Sequence, residues 1–226
     1  MHAIFITATG TGVGKTRATL RLIELARKAG LRVGVCKPIE TGVQKIPEDA
    51  RALREALPPS CAPRRPEELC LATFPLPAAP FCADTERSLD PGRLVRELQT
   101  LRERCDLLLI EGAGGLMVPI TRDYFMIDLI ADTGAFALLV TPSRLGCINE
   151  TLLSLEALAR REIPHDWCVN LYEEAESFAE VTRPFYDAAF PGWWTLQEGL
   201  EEFLRRQLAQ FATMPNKTGD RDAASG

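Results

Sequence analysis

Residues 7–16 read Thr7-Ala8-Thr9-Gly10-Thr11-Gly12-Val13-Gly14-Lys15-Thr16. A short apolar run, residues 3–7 (AIFIT), precedes them, and a stretch with helical periodicity, residues 15–29, follows with Ala18, Leu22, Ile23 and Ala26 on one face. Gly30 stands where a left-handed cap ends such a helix. In a strand, glycine loop and helix arranged this way, successive backbone N–H groups converge on phosphate oxygens at the positive end of the helix. Lys15 then reaches the β- and γ-phosphates, and the Thr16 hydroxyl is free to ligand Mg²⁺. The common G-x-x-x-x-G-K-[ST] string wants glycine at position 9, where this chain has Thr9, but Gly10, Gly12, Gly14, Lys15 and Thr16 are all present.

Working outward, the runs at residues 31–36 (LRVGVC), 107–110 (LLLI), 135–141 (AFALLVT) and 166–170 (DWCVN) read as further buried parallel strands. Helical stretches alternate with them: one starting at Pro91 behind Asp90, one over residues 152–160 and one over residues 196–211. The expected fold is a single-domain α/β P-loop NTPase with a mostly parallel sheet and helices on both faces. The domain is expected to span residues 1–212, followed by a disordered tail at 213–226 whose residues from 216 onward are small and polar. Residues 58–90, rich in proline and weak in periodicity, read as a long loop.

Composition narrows the function classes. Of 226 residues 46% are hydrophobic and 25% charged, the balance of a globular chain with one sizeable core. Twenty-six Lys and Arg stand against 31 Asp and Glu, a formal charge of −5, so no diffuse basic field is present to hold nucleic acid or an anionic membrane. No run approaches a signal or membrane-spanning segment, and the expected location is cytoplasmic. Seven cysteines without C-x-x-C spacing suit reduced thiols rather than a disulfide framework or zinc site. His165 and the three tryptophans read as structural residues.

Three further motifs fall at strand ends, where an open α/β sheet binds its ligand. Lys37-Pro38-Ile39-Glu40-Thr41-Gly42 puts Lys37 close to Lys15 and the phosphates. Glu111-Gly112-Ala113-Gly114-Gly115 supplies a carboxylate placed for Mg²⁺, with glycines that admit a close ligand. Arg144-Leu145-Gly146-Cys147-Ile148-Asn149 turns from strand to helix and makes a second nest of N–H groups suited to an anion.

In this order and spacing, GTGVGKT, KPIETG, EGAGGLMVPIT and RLGCIN resemble the dethiobiotin synthetase family, over about residues 3–170. The resemblance implies an ATP-dependent carboxylation and ring closure of 7,8-diaminononanoate with CO₂, giving dethiobiotin, ADP and phosphate. It proceeds through a carbamate and a carbamic-phosphoric anhydride, with Mg²⁺ as cofactor and ATP as co-substrate. It assigns catalysis to Lys37 and Lys15, as cations steadying the transferring phosphoryl group and the carbamate. Nucleotide binding falls to Gly10, Thr11, Gly12, Val13, Gly14, Lys15, Thr16 and the residue after them, Arg17. Thr16 and Glu111 match magnesium ligands, with a third carboxylate at Asp49 or, alternatively, its neighbour Glu48. Thr11 and Thr41 match hydroxyls near the diamine, and Asn170 matches an asparagine that members present to the base. The Arg144–Asn149 turn is implied to hold the substrate's distal carboxylate from the second subunit of a homodimer with composite sites. Ala8 and Gly12 depart from residues that many members carry there.

Two other classes fit the phosphate loop alone. A partitioning-type switch ATPase acting on a protein partner usually carries an extra lysine near the loop's start, where this chain has Gly10 and Thr11. A corrinoid amidotransferase needs a glutamine-hydrolysing domain, for which no room follows residue 170. Lys37→Ala is expected to lower turnover sharply and leave folding intact, since it removes a charge used mainly as negative charge redistributes.

Overall fold

The computed structural model describes residues 2–59 and 61–213. Six strands form one sheet among them: β1 (His2–Ala8), β2 (Val33–Thr41), β3 (Cys70–Phe74), β4 (Leu107–Glu111), β5 (Phe136–Pro142) and β6 (His165–Asn170). Their order across the sheet is β3-β2-β4-β1-β5-β6, and every pairing is parallel. The helices are α1 (Lys15–Lys28), α2 (Glu48–Ala56), α3 (Pro80–Ala83), α4 (Pro91–Arg102), α5 (Met126–Thr133), α6 (Cys147–Arg160), α7 (Ala175–Ser177), α8 (Arg183–Ala189) and α9 (Leu196–Thr213). This is the expected α/β architecture.

Both faces of the sheet are apolar because alternate side chains of each strand enter different cores. Along β1, Ala3 and Phe5 pack with Leu94 and Leu98 of α4, Ile127 and Ile130 of α5 and Leu158 of α6. Ile4 and Ile6 point the other way, toward Leu22, Ile23 and Ala26 of α1, Leu53 of α2 and Phe203 of α9. The four α1 positions read from periodicity, Ala18, Leu22, Ile23 and Ala26, are fully buried. Gly30 sits at φ +79°, the left-handed conformation expected of it.

Three readings need correction. Residues 58–90 are not one long loop: they hold a 3₁₀ turn (Pro66–Leu69), the edge strand β3 and α3. Strand β3 pairs only with β2, through Lys37↔Cys70 to Thr41↔Phe74, so it is not buried enough to show an apolar run. Strand β2 does not stop at Cys36 but continues to Thr41, which moves Lys37 from the strand's end into its middle. Helix α6 begins at Cys147, five residues before the expected start, so half of the Arg144–Asn149 motif is its first turn. The expected tail from residue 214 onward lies outside the described residues.

Candidate functional site

Strands β1, β2 and β4 bring their carboxyl ends, or the loops behind them, to one cavity of about 440 Å³. Thr11, Gly12, Gly14, Lys15 and Thr16 line it from the loop after β1, and Lys37 and Thr41 from β2. Asp49 enters from α2, and Ala113 and Gly114 from the turn after β4. Lys15, Thr16, Lys37 and Asp49 thus meet although 34 residues of chain separate the first from the last. The expected hydroxyls Thr11 and Thr41 both face this space.

Lys37 is the hub. It is 3% exposed, and its Nζ donates to Glu111 Oε1 at 2.8 Å, Asp49 Oδ2 at 2.6 Å and the Gly112 carbonyl at 3.3 Å. Burial works against its charge, but Glu111 and Asp49 outweigh it, and the pKa lies above the ordinary lysine value. Lys15 is also buried, and its Nζ donates to the Gly10 carbonyl at 2.9 Å. Burial, followed by repulsion from Lys37, brings its pKa down to about 8, with Glu111 and Asp49 opposing the shift. Asp49, by contrast, is held below the usual carboxylate value: burial pushes it up, but the Lys37 ammonium and the Thr16 hydroxyl more than compensate.

Between the two carboxylates lies the Thr16 hydroxyl, 2.9 Å from Glu111 Oε1 and 3.1 Å from Asp49 Oδ1. A hydroxyl has one proton to donate, so it satisfies only one of them at a time. Glu111 is fully buried and its Oε2 has no hydrogen-bond partner. Three hard oxygen donors around one point, one carboxylate with an unpartnered buried oxygen, fit a magnesium ion completed by phosphate and water. Glu48, the alternative carboxylate, is 82% exposed and pairs with Arg51 on the outside of α2. The resemblance matched Asp49 and kept Glu48 as the alternative; the rotation of α2 separates them.

That rotation is set by Glu40, whose role the sequence did not reveal. Its carboxylate turns back from β2 and accepts the N–H groups of Asp49 at 2.9 Å and Ala50 at 3.0 Å, capping α2 from outside its own segment. Burial raises its pKa, partly offset by those two N–H groups.

Other expected residues lie apart from the hub. The Arg144 guanidinium pairs with Glu150 at 2.8 Å, and Glu150 also accepts the Thr9 hydroxyl at 3.2 Å. Leu145 is 83% exposed, and its N–H donates to Glu174 at 3.1 Å. Asn170, expected near a base, is buried beneath the phosphate loop. A second cavity of about 610 Å³, lined by Arg17, Leu20, Arg21, Leu196 and Gln197, meets the first at Thr16. His165 bonds the Ile163 carbonyl, and Trp167 stacks edge-on with Tyr186 and Phe190, both as structural residues. Cys36, Cys70, Cys82, Cys105, Cys147 and Cys168 are free thiols, and no group of three or more His, Cys, Asp or Glu among the described residues forms a metal cluster. No helix among them is long and apolar enough to cross a membrane.

A parallel sheet, a glycine loop feeding α1, and Lys15, Thr16 and Glu111 gathered at its mouth define a P-loop NTPase. Residues 2–167 match the family described as AAA domain. The chain is 56% identical over 212 residues to the ATP-dependent dethiobiotin synthetase BioD of Sulfurovum sp. (strain NBC37-1), covering 91% of this chain and 99% of that protein. It is 40% identical to the protein of the same name from Wolinella succinogenes, over 92% and 99% of the two chains. Among solved structures it is similar to a Pyrococcus abyssi GTPase in apo form (TM-score 0.57, 13% identity, 94% of this chain and 98% of that one). It is also similar to cobyrinic acid a,c-diamide synthase of Mycobacterium smegmatis (TM-score 0.56, 15% identity, 94% and 96%). At such identities these two support the fold alone. The chain belongs to the dethiobiotin synthetase family.

Proposed function

We propose that this protein forms dethiobiotin from 7,8-diaminononanoate, CO₂ and ATP, with ADP and phosphate as the other products. One amine of the diamine adds to CO₂ to give a carbamate. A carbamate oxygen then takes the γ-phosphoryl group of ATP, releasing ADP. The second amine attacks the carbamoyl carbon of this mixed anhydride, phosphate leaves, and the ureido ring closes. The observation that carries this reading is the joint engagement of Lys37 by Asp49 and Glu111 at the mouth of the phosphate loop, beside a cavity lined by Thr11 and Thr41.

The residues divide the work. N–H groups from Gly10 to Thr16 and the Lys15 ammonium bind the nucleotide phosphates. Thr16, Asp49 and Glu111 would hold Mg²⁺, which supplies charge neutralisation of the phosphates. Lys37, beside both carboxylates, directs its ammonium at the negative charge shared between carbamate and phosphoryl oxygens. No proton transfer is asked of either lysine. Thr11 and Thr41 offer hydroxyls to the diamine, and the cavity beyond Thr16, flanked by Arg17, Leu20 and Leu196, takes the nucleoside end.

The enzyme acts as a homodimer in this reading, with the Arg144–Asn149 turn of one copy meeting the substrate carboxylate in the site of the other. Leu145 and Met117, 83% and 55% exposed, are apolar surface that such an interface would cover. Residues 1–212 carry the catalytic domain in this reading.

Phosphate release from ATP, Mg²⁺ and bicarbonate, measured with and without 7,8-diaminononanoate and with product mass read in parallel, tests the proposal. Diamine-dependent release with a product of dethiobiotin mass is the expected result. Slow hydrolysis indifferent to the diamine would overturn it and favour a switch ATPase acting on a protein partner.

A further inference from the structure

The phosphate loop is held from outside by side chains that none of its motifs contain. Asn170, at the end of β6 and 2% exposed, donates from Nδ2 to the Val13 carbonyl at 2.9 Å. Two residues on, the Tyr172 hydroxyl donates to the Gly12 carbonyl at 2.8 Å. Gln197, in the first turn of α9, donates from Nε2 to Asn170 Oδ1 at 3.1 Å and to the Leu171 carbonyl at 3.0 Å. Its Oε1 accepts the Leu171 N–H at 3.3 Å. The fit is tight: a Cβ added at Gly14 would stand 2.3 Å from Asn170 Nδ2.

A peptide group is rigid and planar, so fixing a carbonyl oxygen fixes the N–H on the other side of the same plane. The Gly12 carbonyl shares its plane with the Val13 N–H, and the Val13 carbonyl with the Gly14 N–H. Gly12 and Gly14 sit at φ +75° and +116°, where glycine has little steric hindrance to rotation, so these two peptides are the ones most able to flip. The structure assigns Tyr172 and Asn170, with Gln197 behind Asn170, as positioning residues that aim the Val13 and Gly14 N–H groups at the nucleotide phosphates. This rests on the nucleotide-binding role proposed above. One N–H and one lone pair of the Asn170 amide are engaged within the protein, which gives it a bracing task beside any contact with the base.

The test compares binding of ATP, GTP and inorganic tripolyphosphate, each with Mg²⁺, to the wild-type chain and to Tyr172→Phe, Gln197→Ala, Asn170→Ala and the Asn170→Ala/Gln197→Ala pair. Thermal unfolding and the split of KM for ATP against kcat are followed alongside. Losing one such hydrogen bond weakens binding by roughly 2- to 12-fold. Tyr172→Phe is expected to weaken all three ligands by one common factor in that range, raising KM with kcat and Tm unchanged. Asn170→Ala is expected to do so more strongly, and the pair no more than Asn170→Ala alone, because Gln197 acts through Asn170. Tyr172→Phe and Gln197→Ala binding all three ligands like wild type would overturn the brace, even if Asn170→Ala fails to fold. A loss confined to ATP would overturn it in favour of base recognition. A wild-type chain that binds none of the three would instead overturn the nucleotide reading itself, and the brace with it.

Discussion

Lys37 Nζ lies 2.8 Å from Glu111 Oε1, with the two side chains 3% and 0% exposed, in adjacent strands of the sheet. The pair is buried at the centre of the fold as well as at the mouth of the site. Removing one member of such a pair strands the other's charge, at a cost of about 3–5 kcal/mol. This changes the expectation that Lys37→Ala would leave folding intact, which took the lysine as a charge used mainly as negative charge redistributes. Lys37→Ala is expected to lose both turnover and stability in that range. Lys37→Ala/Glu111→Gln should regain most of the stability and none of the turnover, as denaturant unfolding beside a phosphate-release assay would show.

Lys15 gives the site a pH dependence. With its pKa lowered to about 8 in the ligand-free protein, its charge is present below that pH and lost as pH rises through it. ATP attracts the protonated form, so affinity should fall above about pH 8, and binding near that pH should take up a proton. Calorimetry in buffers of different ionisation enthalpy reads this uptake. Lys15→Met is expected to abolish both uptake and tight binding.

The same shift bears on stability. Because the folded pKa of Lys15 lies below its unfolded value, the folded state releases its proton first, and stability rises with pH between about 8 and 10.5. Below that window the cost of burying the charge is fully present. Lys15→Met should therefore raise the Tm of the ligand-free protein at pH 7, by on the order of 3 kcal/mol in stability. An unchanged or lowered Tm would show that the charge is not strained.

Asp49 and Glu48 are neighbours in sequence with opposite orientations. Asp49→Asn is expected to weaken Mg²⁺ dependence of turnover by roughly 10- to 100-fold, the scale seen when groups around a metal are disturbed. Glu48→Gln, altering a side chain 82% exposed, should stay within about two-fold of wild type. Titration of activity with Mg²⁺ separates the two, and equal effects would remove Asp49 from the metal set.

Gly115 is crossed closely by the phosphate loop: a Cβ there would stand 2.9 Å from the Thr9 carbonyl oxygen. Gly115→Ala must push backbone against backbone. It is expected to cost about 1–3 kcal/mol in stability and to raise KM for ATP. Thermal unfolding and steady-state kinetics would check both.

Much of this protein is written locally. An apolar run, a glycine loop and an amphipathic helix are neighbours in the chain, so residues 3–29 declared strand, phosphate loop and α1 without help from the rest. The runs at β4 and β5 were legible because burial on both faces leaves few polar residues in them. Local reading failed where neighbours in space decide. Strand β3 exists as an edge because β2 offers it a partner, not because CLATF is strongly apolar. The extension of β2 to Thr41 comes from that same pairing, and it put Lys37 in the interior. Asp49 was distinguished from Glu48 by Glu40, nine residues away, which capped and oriented α2. Asn170 and Tyr172 met the phosphate loop across about 160 residues of chain, with Gln197 behind Asn170, which no periodicity records. Sequence determined which chemical groups this protein carries and the order of its elements, since these depend on short-range pattern. Tertiary structure alone decided which charges are buried together and which backbone groups are held, because burial and hydrogen-bond partnership belong to the packed chain.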